Sequence, residues 1–211
     1  MLLGPPWFEP AAAWSLDGHP IHVTEPSTID LVRALLVPDT PYEGSGLAVV
    51  LACCAHTEDR QFLADRIFTH GSPISLEFLA FVADGLVEMY CGMPRWSTQS
   101  LWQQTHAAWT QIDGELQLGG VDVITLRPAR ATTAVLAVWR RLLRNSERER
   151  DRFERSLDKP PMRVIRRMDA EETPDTSFEA VSGLWSRTRA GRDDKAGNTI
   201  ITPPSDTLEG K

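Results

Sequence analysis

The sequence predicts an all-α protein, a single helical domain of about six to eight helices with a short N-terminal β-hairpin and a flexible C-terminal tail. Apolar side chains recur every three or four residues over most of the chain, which is the spacing of one helix face. Proline and glycine separate these stretches, and one Asp-Gly pair lies between short apolar runs. Of the 211 residues 42% are hydrophobic, which is enough for the core of one domain.

The hairpin is predicted near the N-terminus. Residues 1–11 are rich in proline and are expected to be flexible, and the helical body with its hairpin is expected to span residues 12–162. Asp17-Gly18 indicates a tight turn, because both central residues of the favoured turn need positive φ. The flanking runs contain Trp14 and Ile21, which should pack on helices because an isolated hairpin is only marginally stable.

Four helical segments are expected to follow. Ser27 or Thr28 caps the first, and Ser75 caps the fourth, which ends at a glycine. Residues 44–55 are small and apolar, which is consistent with a buried helix, although their length also fits a strand. Thr57 begins a helix with acidic residues in its first turn, where the helix dipole favours them.

A tryptophan-rich segment, residues 93–126, contains three of the seven tryptophans. Pro94 is expected to open a helix that ends at 113–114 or at 119–120, where glycines occur. Five side chains would then fall on one stripe of this helix and pack in the centre of the body: Trp102, His106, Trp109, Ile112 and Leu116.

A long helix, capped by Thr125, should bring Trp139 to its apolar face, and a charged helical stretch continues to Pro160-Pro161. Beyond it, residues 163–211 are interpreted as a polar C-terminal tail. A short helix is predicted at about 177–190, and the remainder is expected to be disordered.

Charge is distributed unevenly along the chain, whose net charge is −7. Residues 1–126 hold four arginines against 15 acidic residues, whereas residues 127–167 hold 12 arginines and one lysine against five acidic residues. Acidic residues interleave with seven arginines between 140 and 155, which favours ion pairs along a solvated helix. A docking surface for an acidic protein or for the chain's own acidic body is the second interpretation, and nucleic acid is the least favoured partner.

One set of residues could suggest zinc: Cys53, Cys54, His56, His70 and Cys91. Zinc sites favour cysteines separated by two to four residues, and adjacent cysteines rarely share one metal. We therefore expect reduced, buried thiols and no metal.

Other chemistry-bearing side chains have simpler explanations. His106 is expected to be a core or half-exposed histidine, and Asp113, Glu115 and Asp122 lie beside glycines as turn and capping residues do. The sequence contains no phosphate-binding loop, nucleophile elbow or dinucleotide fingerprint. The prediction is a protein that is not an enzyme and binds no cofactor.

The expected location of the protein in the cell follows from two features that the sequence lacks. No apolar run approaches the roughly 20 residues that span a bilayer, and the first residues lack the basic start of a signal peptide. A cytoplasmic protein without a membrane partner is expected.

Three blocks of motifs carry a family resemblance. The first is Trp14-Ser-Leu-Asp-Gly-His with Glu25-Pro26-Ser27; the second is Met93-Pro-Arg-Trp96, followed by Trp109, Asp113-Gly-Glu-Leu, Gly120-Val-Asp122 and Leu126; the third is Arg152-Phe153-Glu-Arg-Ser-Leu-Asp-Lys-Pro160-Pro161. In layout, residues 12–162 resemble the tail assembly chaperones of siphophages that infect actinobacteria.

The resemblance implies a non-catalytic helical protein that binds the tape measure protein during tail assembly, in the host cytoplasm, and is absent from the finished virion. Its other implied partners are further copies of itself and a longer form made by a programmed frameshift. Helix-in-groove binding is compatible with this role. The candidate partner-binding residues are Trp96, Trp102, Trp139, Arg140, Arg144 and Phe153.

Two other functions stay open at this point. One is a structural virion protein, such as a head–tail connector or a minor tail protein. The other is a nucleic-acid-binding regulator that uses the arginine-rich helix.

Overall fold

The structure, a computed structural model, describes residues 13–38, 44–69 and 74–172, with side chains to residue 169. Over these residues it confirms the all-α prediction, with nine α-helices and one two-stranded hairpin. The described residues all belong to one compact unit that ends at Asp175. The predictions for residues 1–11, for a helix at 177–190 and for the rest of the tail lie outside the described residues.

The elements follow one another with short connections. The strands are β1 (Ala13–Leu16) and β2 (His19–His22). The helices are α1 (Thr28–Leu35), α2 (Gly44–Cys53), α3 (Thr57–Phe68), α4 (Leu76–Cys91), α5 (Arg95–Ala107), α6 (Trp109–Leu118), α7 (Pro128–Leu142), α8 (Glu147–Asp158) and α9 (Met162–Glu172), with one 3-10 turn at Leu143–Asn145 between α7 and α8.

The hairpin forms as predicted. Asp17 and Gly18 both have positive φ, 51° and 80°, and Trp14 pairs with Ile21 across the two antiparallel strands. Both side chains are buried, and the Trp14 ring lies 6.1 Å from the ring of Phe78 in α4. The hairpin is therefore part of the helical core.

The segment 44–53 is the helix α2, so the strand alternative is wrong. Gly46 allows a close approach to α4, because a Cβ atom added there would lie 3.0 Å from the Cα atom of Ala80. Helix α4 is buried along most of its length and contacts α2, α5 and α7. It is the central helix of the core.

The tryptophan-rich segment differs from its prediction, because one continuous helix is replaced by α5 and α6. Ala108 leaves helical geometry at φ −114° and ψ 27°, and its N–H caps α5 by donating to the Gln104 carbonyl. The predicted stripe is thus divided. Trp102, Ile112 and Leu116 are buried, as a core stripe requires, but His106 and Trp109 are exposed.

The helical body also extends ten residues past the predicted boundary at residue 162. Helix α9 buries Val164, and Arg163 and Arg167 donate to the Asp84 carboxylate of α4 at 3.2 and 3.3 Å. Arg167 also lies 4.9 Å from the ring centre of Phe81. The start of the predicted polar tail is therefore helical, and the hydrogen bonds from its arginines to the buried Asp84 carboxylate attach it to α4.

None of the helices in the described ranges is long and apolar enough to cross a membrane.

Candidate functional site: an apolar groove

An open apolar groove of about 180 Å³ lies between α1, the corner where α5 meets α6, and the loop 119–127 that precedes α7. Its lining is Thr28, Ile29, Val32, Arg33, Leu36, Trp102, His106, Trp109, Val123 and Ile124. Three of its apolar side chains remain accessible to solvent: Ile29 is 37% exposed, Trp109 36% and Ile124 47%. Clustered exposed apolar side chains of this kind mark binding surfaces more often than scattered ones do.

The first wall exists because α1 is apolar on two faces. Leu31 and Leu35 are buried in the core, while Ile29, Val32 and Leu36, at i, i+3 and i+7, line the groove. Ser27 caps the helix by accepting a hydrogen bond from the Asp30 N–H at 3.2 Å. Eight helical residues give this wall a length of about 12 Å, or two turns.

The second wall is the α5–α6 corner. The indole Nε1 of Trp102 donates to Thr132 Oγ1 of α7 at 3.3 Å, which holds this ring as the buried floor of the groove. Trp109 begins α6 directly after Ala108, so the break between the helices is what turns its ring to the groove. His106 lies exposed beside it.

The third wall is the loop after α6, whose shape is set by Gly120. This glycine has φ +69°, its N–H donates to the Gln117 carbonyl at 2.9 Å, and the Val121 N–H donates to the Leu116 carbonyl at 2.9 Å. These are the two bonds of a Schellman helix end, which requires a left-handed residue.

Asp122 completes the loop. Its carboxylate accepts from the Ile124 N–H at 3.2 Å, and its carbonyl accepts from the Thr125 hydroxyl at 2.9 Å. Val123 is consequently buried and Ile124 remains open to the groove. The Gly-Val-Asp motif of the sequence thus has a local role in shaping this wall.

Two contacts join the third wall to the first. The Thr28 hydroxyl donates to the Leu126 carbonyl, and Arg127 Nε donates to the Glu25 carboxylate at 2.6 Å. The hydrogen bond to Glu25 raises the pKa of the Arg127 guanidinium. Because both contacts bridge the walls directly, the groove is held open in the unbound chain.

Of the predicted partner-binding aromatic residues, the groove includes Trp102 but not the other three. Trp139 is half-buried, its Nε1 donates to Thr105 Oγ1 at 3.0 Å, and its ring stacks on Phe153 with centres 5.3 Å apart. Phe153 is buried between α8 and the body, and Trp96 is half-buried. The stacked rings of Trp139 and Phe153 attach α8 to α7.

The predicted arginines lie elsewhere. Arg140 forms an ion pair with Glu154 at 3.0 Å, and Arg141 pairs with Glu115. Arg144 is exposed at the 3-10 turn. The prediction that the arginines of residues 140–155 form ion pairs within the chain therefore holds for Arg140 and Arg141.

The thiols of Cys53, Cys54 and Cys91 are buried and free. Burial raises their pKa values to about 12, 11 and 12, so they are protonated and unreactive at neutral pH. His70 lies outside the described residues. Within them, no group of three or more histidine, cysteine or acidic side chains is arranged to hold a metal ion.

One buried carboxylate, Asp59 of α3, collects donors from the hairpin. It accepts from the His22 N–H at 2.9 Å and lies 3.2 and 3.3 Å from the rings of His19 and His22. Burial alone would raise the pKa of Asp59, but these donors outweigh it, and the pKa lies below its ordinary value. The cluster fixes the hairpin to α3.

Most of the groove was not predicted from the sequence. The helical spacing of Ile29, Val32 and Leu36 can be seen in the sequence. On a helix these three residues lie on a different face from Leu31 and Leu35, so the sequence does indicate a second apolar face. The exposure of Trp109 depends on the break at Ala108, for which the local sequence has no glycine or proline signal.

Comparison with protein-family models, with curated proteins and with solved structures gave no match to this chain.

Proposed function

We propose that this protein is a tail assembly chaperone, and that it holds apolar helical segments of a tape measure protein in the groove between α1, the α5–α6 corner and the loop 119–127. The partner comes from the motif layout of residues 12–162. The single structural observation in support is the accessible apolar lining of the groove, provided by Ile29, Trp109 and Ile124.

The size of the groove favours a helix as the occupant. A wall of about two turns offers room for two or three apolar side chains of an amphipathic helix, spaced at i, i+3 or i+4, and i+7. The ionisable side chains that line the same groove are Arg33 and His106. They favour a partner helix that carries acidic residues beside its apolar stripe.

A pre-formed groove suits a chaperone. Because Thr28 and Arg127 fix its walls in the absence of a partner, binding does not require the walls to be ordered first. The net charge of −7 keeps copies of the protein soluble while an apolar partner is bound.

Co-expression with the tape measure protein tests this proposal. The wild-type chain should keep the tape measure protein soluble and co-purify with it. Ile29→Glu and Ile124→Glu place charges among apolar walls, and each should weaken the complex by about ten- to hundredfold, the loss expected when a buried isoleucine contact is removed. The measurement is the dissociation constant for a soluble tape measure segment.

Leu118→Glu is the matched control. Leu118 is 86% exposed and does not line the groove, so the same change there should leave the complex intact. Equal losses in the control and groove variants would rule out the groove as the site. A tape measure protein that stays insoluble, with this chain present in purified virions, would instead support the structural virion protein and contradict the chaperone.

A further inference from the structure

Two exposed histidines, His22 at the end of β2 and His56 directly before α3, lie close together. Their ring centres are 5.1 Å apart, and the ring planes are inclined at 64°. An imidazole nitrogen binds Zn²⁺ at about 2.0–2.1 Å, so two imidazoles on one tetrahedral ion have ring centres about 5 Å apart. The separation of the two rings therefore matches that of two ligands of one metal ion.

The backbone holds the two histidines beside each other. The Ala55 N–H donates to the His22 carbonyl at 2.9 Å, and the next residue of each segment, Val23 and Cys54, forms an antiparallel bridge. His56 follows directly on Ala55. Because these segments are joined in the folded chain, an ion would meet a pair of ligands that is already assembled.

The Asp59 carboxylate orients the ring of His22. Its Oδ2 lies 3.3 Å from Nδ1 of His22, and the same oxygen accepts from the His22 backbone N–H at 2.9 Å. A buried carboxylate beside Nδ1 favours the tautomer with its proton on Nδ1, which leaves the lone pair of Nε2 available. Metal-binding histidines are supported by carboxylates in this way, and the carboxylate makes the imidazole a stronger ligand.

The remaining ring of the cluster has a different role from the pair. His56 is the N-cap residue of α3, but its side chain forms no capping hydrogen bond, so the ring is not used to end the helix. His19, by contrast, has its Nε2 3.2 Å from Oδ1 of Asp59, and its ring stacks on Phe62 with centres 4.2 Å apart. His19 therefore attaches the hairpin, whereas His22 and His56 offer ligand nitrogens to solvent.

We propose that His22 and His56 bind one divalent transition-metal ion of the class that imidazole favours, such as Zn²⁺, and that this ion fastens β2 to the start of α3. Imidazole suits zinc, copper and nickel. The chain supplies two ligands and water supplies the others, which agrees with the finding that the described side chains hold no metal-binding group of three or more. The site uses neither the groove nor the buried thiols, so it does not depend on the proposed function.

Calorimetric titration of the full, untagged chain with ZnCl₂ tests the proposal. The wild type should bind one Zn²⁺ per chain, and its melting temperature should rise with the Zn²⁺ concentration because the ion binds the folded state. His22→Gln and His56→Gln should each lower the affinity about tenfold or more and remove the rise in melting temperature. His106→Gln is the matched control, since it removes an exposed histidine of the groove and should leave Zn²⁺ binding unchanged.

Asp59→Asn tests the supporting carboxylate while both ligands remain. It should lower the affinity for Zn²⁺ by about 10- to 100-fold, and circular dichroism checks that each variant is folded. Equal Zn²⁺ affinity in the wild type, His22→Gln and His56→Gln would overturn the proposal, as would a wild type that binds no Zn²⁺. Binding of MgCl₂ as tightly as ZnCl₂ would also overturn it, because Mg²⁺ takes oxygen ligands and not imidazole.

Discussion

At the residue scale, two glycines six positions apart act in opposite ways. Gly114 lies inside α6, where glycine costs backbone entropy and an added Cβ would meet no atom within 4 Å. Gly120 also has open space around it, but its φ of +69° is a conformation that other residues adopt only with strain. The free space around a glycine therefore does not by itself determine whether an added methyl group stabilises or destabilises the fold; the backbone conformation matters as well.

Alanine at each glycine gives a matched pair of predictions. We expect Gly114→Ala to raise the free energy of unfolding by about 0.5–1 kcal/mol, because it removes chain entropy from the unfolded state. We expect Gly120→Ala to lower it by about 1–2 kcal/mol. Urea denaturation measures both, and equal effects of the two substitutions would contradict the role assigned to the left-handed turn.

At the element scale, the attachment of α9 and α5 to α4 depends on one carboxylate. Arg95 has no exposed surface, and its Nε donates to Asp84 at 2.7 Å while its Nη1 donates to the Ser45 hydroxyl at 2.8 Å. Arg163 and Arg167 approach the same carboxylate from α9. Removing the negative charge of Asp84 would leave these three guanidinium groups without their shared counter-ion at a largely buried position.

Asp84→Asn should therefore lower the free energy of unfolding by about 3–5 kcal/mol. The control is Glu154→Gln, which removes the partner of Arg140 from an ion pair that is open to solvent and should cost less than about 1 kcal/mol. Thermal or urea denaturation gives both values. A cost for Asp84→Asn as small as that of the control would show that the cluster does not hold the helices together.

The elements also show how far the sequence could be read. The turn at Asp17-Gly18 and the caps at Ser27 and Ser75 follow from local rules, and all three are confirmed. The break at Ala108 does not follow from such rules, because alanine favours a helix, and the new chain direction is stabilised instead by the packing of α6 on α7. The groove needed that break, and for this reason it was not predicted.

At the scale of the whole molecule, acid should unfold the protein partly through Asp59. A carboxyl group whose folded pKa lies below its unfolded value stabilises the fold above the unfolded pKa, and this contribution is lost as the pH falls through the folded pKa. Since an unperturbed aspartate has a pKa of about 3.9, the loss should occur below about pH 4.

Asp59→Asn isolates this effect. The variant should be less stable than the wild type at pH 7, and the difference in unfolding free energy should shrink as the pH falls from about 4 through the folded pKa of Asp59, below which both side chains are neutral. Denaturation curves at several pH values measure it. A difference that stays constant from pH 7 to pH 3 would mean that the charge of Asp59 does not attach the hairpin.

The two contacts that join the walls of the groove link residues far apart in the chain, 98 positions for Thr28 and Leu126 and 102 for Glu25 and Arg127. Contacts of such long sequence separation form only after a large loop has closed, and they make folding slower than local helix contacts do. During synthesis α1 emerges long before the segment that completes its groove. A chain that is still being made therefore has no finished groove, and only a copy that has folded through at least residue 127 can offer this surface to another protein.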